Sequence, residues 1–343
     1  MISLLSCGYA ENQEEGFMII SDFQIRQPDA NVWMCAYKNE IFIFIPRGSN
    51  RRNKYTDCII SLSKGEIVYK FDYRIKILGY SNGIIYFVAP EENIEGTIIG
   101  MFDMSIKNIN WLECDYKIEH TRTSVYMSSE SICIPIEENS DGYNYAVVSG
   151  KSIISYKQEV PVTYYKDVYY YLSRPYPMKG IYNGVLTEDV ITKGIDGNEK
   201  RIELDGASIP LSIFQISESV VLYCINGRTP LSIIESDQKI TPVFTFDCLM
   251  SESSIALHEN KIFLSVRRYR EFGPLSLGYL IDSNDDLEGL YTINMSDFSV
   301  RKISDSFYTG LYNLDGTCLY GCDTDGNVYK IAFDGASQLI FSP

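Results

Sequence analysis

The sequence predicts an all-β fold, and two patterns carry the prediction. The first is composition: 27 Tyr and 16 Phe against only 2 Trp, with hydrophobic residues at 45% of 343. Aromatic and β-branched residues fit the pleated, half-buried surface of a strand. They fall in short apolar runs such as Glu40-Ile-Phe-Ile-Phe-Ile45, Gly83-Ile-Ile-Tyr-Phe-Val88 and Val168-Tyr-Tyr-Tyr-Leu172. The second pattern is turn chemistry. Asp-Gly occurs at 141–142, 196–197, 205–206, 315–316, 325–326 and 334–335, and Asn-Gly at 82–83, 183–184 and 226–227. These dipeptides supply the positive backbone angles of tight hairpins at low steric cost. No segment combines a sustained 3.6-residue apolar period with caps at both ends.

A third observation turns strands into architecture. A unit of strand, short turn, very apolar strand, longer loop, strand, turn and polar strand recurs from near Asn31, Arg74, Thr123, Val162, Leu211, Ile255 and Phe307. The spacing of roughly 40–50 residues is that of a four-stranded propeller blade. The second strand of each unit is the most apolar: Ile41–Ile45, Ile84–Val88, Ser131–Ile136, Val168–Leu172, Val220–Ile225, Ile262–Val266 and Cys318–Tyr320. Strands covered on both faces read that way. The outer strands are mixed, as in Glu66-Ile-Val-Tyr-Lys70 and Phe298-Ser-Val-Arg-Lys-Ile303. The unit runs to the C-terminus with no linker near the middle, which favours one β-propeller over two sandwich domains. Seven blades fit best, with six or eight as alternatives. Residues 31–343 form the propeller, and residues 1–30, above all Gly16-Phe-Met-Ile-Ile20, close the ring or cap it.

Charge and cysteine content narrow the function classes. With 30 Lys+Arg against 45 Asp+Glu, the formal charge is -15, which excludes a general nucleic-acid binder. Nine cysteines, an odd number with no Cys-x-x-Cys, lie mostly in apolar runs and read as buried thiols in a reducing compartment. No apolar run is long enough to span a bilayer as a helix. The expected location is therefore the cytoplasm and the expected state a monomer. The alternative is an extracytoplasmic lipoprotein through Cys7, since Leu4-Leu5-Ser6 precedes it.

Catalytic and cofactor motifs are sparse. There is no Gly-x-Ser-x-Gly, no dinucleotide or phosphate loop and no sialidase-type Asp-box, and Trp33 and Trp111 lie in other contexts. His120 and His258, the two histidines, read as turn residues, and no cofactor is expected. Asp282, Asn284 and Asp286 carry calcium-loop spacing, but the sixth position, which wants Gly, is Leu287, and the twelfth, which wants Glu, is Ile293. That segment is a weak metal candidate. Asp323-Thr-Asp325-Gly-Asn327 reads as a type I′ hairpin turn.

The last two units carry a resemblance. Gly289-Leu-Tyr-Thr-Ile-Asn-Met-Ser-Asp297 and Gly326-Asn-Val-Tyr-Lys-Ile-Ala-Phe-Asp-Gly335 look like the strand-turn of bacterial TolB-like and YWTD-like propellers. The resemblance covers about the last 60 residues. It implies the fold and a binding role, as many members are presumed binding modules, and it carries no catalytic residue across.

Arginine gives the candidate site. In a propeller, the loop after each second strand lies on one face. Four such loops are basic: Pro46–Lys54 with Arg47, Arg51 and Arg52; Ser173–Lys179 with Arg174 and Tyr176; Asn226–Thr229 with Arg228; and Arg267, Arg268 and Arg270. They hold eight of the thirteen arginines in the chain. The matching loops of units two, three and seven are acidic, with Glu91-Glu92, Glu137-Glu138 and Asp323–Asp325. Arginine and tyrosine on a rigid scaffold recognise carboxylates and phosphates. The expected function is a non-enzymatic propeller that binds an acidic or polar partner, a protein segment or an acidic glycan. One alternative is a glycoside hydrolase or lyase with paired carboxylates at the central channel. Another is a structural subunit of a larger assembly, which calls for a contiguous apolar patch.

Overall fold

The computed structural model describes residues 32–46, 57–89, 95–118, 126–127, 131–137, 139–173, 181–182, 185–186, 189–202, 204, 209–225, 228–246, 250–268 and 287–343. Among the described residues there are thirty strands and no α-helix. Blade 1 holds β1 (Trp33–Tyr37), β2 (Glu40–Ile45), β3 (Cys58–Ser61) and β4 (Glu66–Lys70). Blade 2 holds β5 (Lys76–Ser81), β6 (Ile84–Val88), β7 (Ile98–Asp103) and β8 (Asn108–Glu113). Blade 3 holds β9 (Tyr126–Met127), β10 (Ser131–Pro135), β11 (Tyr145–Ser149) and β12 (Ser152–Lys157). In blade 4, β13 (Pro161–Tyr165) and β14 (Val168–Ser173) are followed by a small hairpin, β15 (Ile181–Tyr182) with β16 (Val185–Leu186), before β17 (Asp189–Gly194) and β18 (Glu199–Ile202). Blade 5 holds β19 (Ile209–Ile216), β20 (Ser219–Ile225), β21 (Leu231–Ile234) and β22 (Ile240–Phe244). Blade 6 holds β23 (Met250–His258), β24 (Lys261–Arg268), β25 (Gly289–Asn294) and β26 (Ser299–Ser304). Blade 7 holds β27 (Gly310–Tyr312), β28 (Leu319–Cys322), β29 (Val328–Ile331) and β30 (Ser337–Phe341).

Seven four-stranded antiparallel sheets thus follow one another as the blades of a β-propeller, each sheet running in sequence order once the blade 4 hairpin is set aside. Each blade begins within five residues of its expected start. The second strands sit where the apolar runs placed them, with β6, β10 and β28 buried throughout.

Apolar packing joins every pair of neighbouring blades. Phe44 and Phe71 of blade 1 meet Phe87 and Phe102 of blade 2. Tyr86 and Met101 then meet Ile132 and Ile134 of blade 3, and blades 3, 4 and 5 share one cluster through Val147, Leu172 and Leu222. Phe214 and Tyr223 meet Leu264 of blade 6, and Phe263 meets Leu319 of blade 7. The ring closes where Met34 and Ile43 of blade 1 pack with Tyr320 and Val328 of blade 7. At that seam Tyr312 Oη donates to the Val32 carbonyl at 3.0 Å. Blade 7 draws all four of its strands from residues 310–341, while the 1–30 segment expected to close or cap the ring lies outside the described residues.

Turn chemistry sets the end opposite the long loops. Lys38-Asn39, Asn82-Gly83 and Lys166-Asp167 are two-residue hairpins with positive φ at both positions. Only the second of these carries the Asn-Gly signature, since Asn and Asp tolerate that region without glycine's help. Third and fourth strands are joined by turns in which a carboxylate caps the amide two residues on: Asp103 to Ser105, Asp297 to Ser299 and Asp334 to Ala336, each at 3.0 Å. The Asp323–Asp325 connection differs from the expected type I′ turn. Positive φ occurs only at Gly326, and residues 323–327 form a five-residue loop closed by Gly326 N–H donating to the Asp323 carbonyl at 3.2 Å.

Candidate binding face

Because the strands of each blade alternate in direction, the second-to-third connection and the connection to the next blade lie at one end. Six of the nine residues expected at that end, Arg47, Arg51, Arg52, Arg174, Tyr176 and Arg270, lie outside the described residues. Arg267 and Arg268 are strand residues rather than loop residues, because β24 continues through Arg268. Arg267 pairs in register with Glu252, and Arg268 with Met250. The extension has a physical reason: the Arg267 guanidinium lies 5.6 Å from the centre of the Phe307 ring, which anchors the strand end by cation–π attraction.

Arg228 is exposed in the connection between β20 and β21. Its backbone is fixed, since Phe246 N–H donates to its carbonyl at 2.8 Å. Arg74, which sequence reasoning missed, is exposed at the same end on the link from β4 to β5. It escaped notice because only second-to-third loops were considered, although blade-to-blade links share that end. Neither Arg74 nor Arg228 forms an ion pair with a described residue.

The acidic loops are held differently. In blade 3, Glu137 bridges Lys117 at 2.7 Å, and Asp141 accepts from Tyr116 Oη at 3.0 Å. That carboxylate holds the Tyr116 phenol above its ordinary pKa, because the hydrogen bond favours the protonated form. Asn139 Oδ1 accepts from Asp141 N–H at 2.8 Å and Tyr143 N–H at 3.3 Å. Nearby, Tyr156 Oη donates to Asp115 Oδ2 at 2.9 Å, and the Tyr116 and Tyr156 rings meet edge-on at 4.8 Å. In blade 7, Asp323 Oδ1 accepts from the amides of Asp325 and Asn327 at 2.8 and 3.0 Å. Its Oδ2 accepts from Asn327 Nδ2 and Tyr329 Oη at 2.8 and 3.1 Å. Of the acidic pair expected in blade 2, Glu91 and Glu92 lie outside the described residues, as does Glu138.

The inner strands bear on the hydrolase alternative. Across β1, β5, β9, β13, β19, β23 and β27 the only acid is Glu252. Paired-carboxylate chemistry needs two, placed on opposite sides of the scissile bond. His258 is taken up in packing. Its ring stacks on Phe333 at 3.9 Å with an interplanar angle of 12°, and Asn313 Nδ2 lies 3.4 Å from its Nδ1. His120 lies outside the described residues, as do the metal candidates Asp282, Asn284 and Asp286. Leu287, at the position where a calcium loop wants glycine, packs against the blade 5–6 core, and its carbonyl accepts from Tyr291 Oη at 2.7 Å. Among the described residues no group of three or more His, Cys, Asp or Glu is placed to hold a metal.

Seven cysteines, Cys35, Cys58, Cys114, Cys133, Cys224, Cys318 and Cys322, are buried free thiols. Burial pushes Cys133 up to about 12, so it stays protonated and unreactive. Large apolar side chains that reach solvent are dispersed over six blades, at Ile67, Ile106, Trp111, Ile154, Ile195, Phe298, Val300 and Leu339. No helix among the described residues is long and apolar enough to cross a membrane.

No protein-family model matches the chain, and no curated protein sequence matches it. Solved structures share the fold at low identity. A puromycin hydrolase S511A mutant complexed with PGG aligns with a TM-score of 0.53 at 8% identity, over 94% of this chain and 56% of that one. PorZ, described as an essential bacterial surface component of the type-IX secretion system of Porphyromonas gingivalis, aligns at 0.51 and 8% identity, over 90% and 38%. The acylaminoacyl peptidase of Pyrococcus horikoshii aligns at 0.51 and 14% identity, over 91% and 52%. The chain spans about two-fifths to somewhat over half the length of these proteins, and the likeness is one of fold.

Proposed function

We propose that the chain is a non-enzymatic binding propeller of the TolB-like/YWTD-like kind, taking an acidic protein segment or acidic glycan on its long-loop face. One observation carries the reading: Glu137, Asp141 and Asp323 on that face are engaged within the fold, whereas Arg74 and Arg228 are exposed and form no ion pair with a described residue. A net charge of -15 makes exposed arginines on one face a local feature against the background. Arg47, Arg51, Arg52, Arg174, Tyr176, Arg267, Arg268 and Arg270 belong to the same sequence-defined set. The lone acid of the inner strands weighs against the hydrolase or lyase alternative, and the dispersed exposed apolar residues weigh against a structural subunit. Buried free thiols fit a reducing compartment such as the cytoplasm.

The test is titration of poly-glutamate and of polygalacturonate against the wild-type chain and the R51E/R52E/R267E/R268E variant. The expected result is binding of at least one polyanion that weakens with salt and falls by about a hundredfold or more in the variant. Equal affinity in the variant, at unchanged thermal stability, sinks the proposal.

A further inference from the structure

At the end opposite the long loops each blade turns twice, from first to second strand near the propeller axis and from third to fourth strand at the rim. Charge is divided unevenly over these short turns. Blades 1 to 3 place Lys38, Lys64, Lys107 and Lys151 in their described turns and no acid, the first turn of blade 3 lying outside the described residues. Blade 5 places Glu218, Glu235 and Asp237 against Lys239, blade 6 Glu259 and Asp297, and blade 7 Asp315 and Asp334. All of these residues are exposed. Blade 4, between the two halves, carries Lys166 beside Asp167. Turn capping accounts for Asp297, Asp315 and Asp334, each of which accepts an amide two residues on. It accounts for neither Glu218 nor Glu259, which form no ion pair with a described residue, nor for the lysines. Lys64 and Lys151 bridge Glu40 and Asp103 at 3.2 and 3.0 Å, whereas Lys38 and Lys107 bridge no described carboxylate.

A face with one basic and one acidic half complements a second copy of itself. A two-fold axis lying in that face and passing through blade 4 reverses the order of the blades. Blade 3 of one copy then meets blade 5 of the other, blade 2 meets blade 6, and blade 1 meets blade 7. At the rim Lys151 comes opposite Glu235 and Asp237, Lys107 opposite Asp297, and Lys64 opposite Asp334. Nearer the propeller axis Lys38 comes opposite Asp315, and the Lys166-Asp167 turn meets its own copy with the signs matched. Apolar exposure obeys the same axis. Ile106, Ile195 and Phe298 are 61%, 65% and 42% exposed and lie in rim turns of this face, whereas the other large exposed apolar residues lie on outer strands. Ile106 on blade 2 falls opposite Phe298 on blade 6, and Ile195 on blade 4 falls on its own copy at the two-fold axis.

We infer that two copies of the chain pair through their short-turn faces about this axis, in place of the monomer expected from the sequence. The two long-loop faces then point away from each other, and both stay open to a partner. Sedimentation equilibrium tests this on the full chain, on K38E/K107E and on Ile195→Asp, all of which alter exposed side chains. The expected result is a wild-type mass that rises with concentration towards twice 39.1 kDa. Both variants are expected to weaken the dimer by about tenfold or more, because each sets like charges against one another across the axis. Mixing K38E/K107E with D297K/D315K restores the opposite-sign pairs, so the mixture is expected to form a heterodimer that neither variant forms alone. Where D297K/D315K fails to fold for want of its turn caps, the other two variants decide. A wild-type chain that stays monomeric up to about 100 μM overturns the inference, since a self-association weaker than that falls below a specific interface. So does a dimer that both K38E/K107E and Ile195→Asp leave unchanged, which would assign the contact to another surface.

Discussion

Asp323 and Arg228 occupy the same position in the architecture, the connection from second to third strand, in blades 7 and 5. Asp323 is consumed by its own loop, with four hydrogen bonds to its two oxygens from residues 325, 327 and 329. Arg228 contributes its carbonyl to the fold and leaves its side chain in solvent. Equivalent connections therefore spend charge in opposite ways. A carboxylate can accept several nearby amides and so builds a loop, whereas a long guanidinium-bearing side chain has no comparable local use. At these two connections the acid is structural and the base is left in solvent.

That contrast can be broken most severely at Asp323. Asp323→Ala removes the acceptor for four donors and is expected to cost about 2–4 kcal/mol of stability, read by urea denaturation, while polyanion affinity of the folded protein stays unchanged. Tyr156→Phe in blade 3, which leaves Asp115 without its phenol donor at 2.9 Å, is expected to cost about 1 kcal/mol in the same assay. Arg74→Ala and Arg228→Ala are expected to stay within about 0.5 kcal/mol of wild type, which marks the other side of the comparison. A stability loss there as large as at Asp323 would erase the distinction.

Acid titration sharpens the same point at the opposite end of the propeller. The Asp103 carboxyl is lowered to about 2, first by the Ser105 hydroxyl and further by Ser105 N–H and Lys151, against the opposing effect of burial. Its folded pKa lies below the unfolded value, so its contribution is fully present above roughly pH 4 and is lost as pH falls towards 2. Asp103→Asn is therefore expected to be less stable than wild type at pH 7, with the gap closing near pH 2. A constant gap across that window would place the effect in packing instead of charge.

Blade positions were legible in the sequence because burial on both faces leaves a continuous apolar run, as in Ile84–Val88. The hairpins at Lys38-Asn39 and Lys166-Asp167 were not, since residues other than glycine hold positive φ there. The end of β24 was also hidden: two consecutive arginines read as loop, whereas the ladder to Glu252 and Met250 and the Phe307 ring beside Arg267 carry the strand on. The five-residue loop at Asp323 was mistaken for a tighter turn because its Asp-Gly dipeptide is common to both. Which charges are spent was beyond reach of local pattern. The partner of Asp115 comes from a residue 41 positions away, supplied by the next blade.

The central claim, that the arginines of the long-loop face are reserved for an acidic partner, is tested most directly by a single comparison. Polyanion affinity at low salt is measured for wild type, for R74E/R228E and for D141N. Loss of about tenfold or more in the arginine variant, with D141N binding as wild type does, is the predicted result. Equal affinity for all three would contradict it.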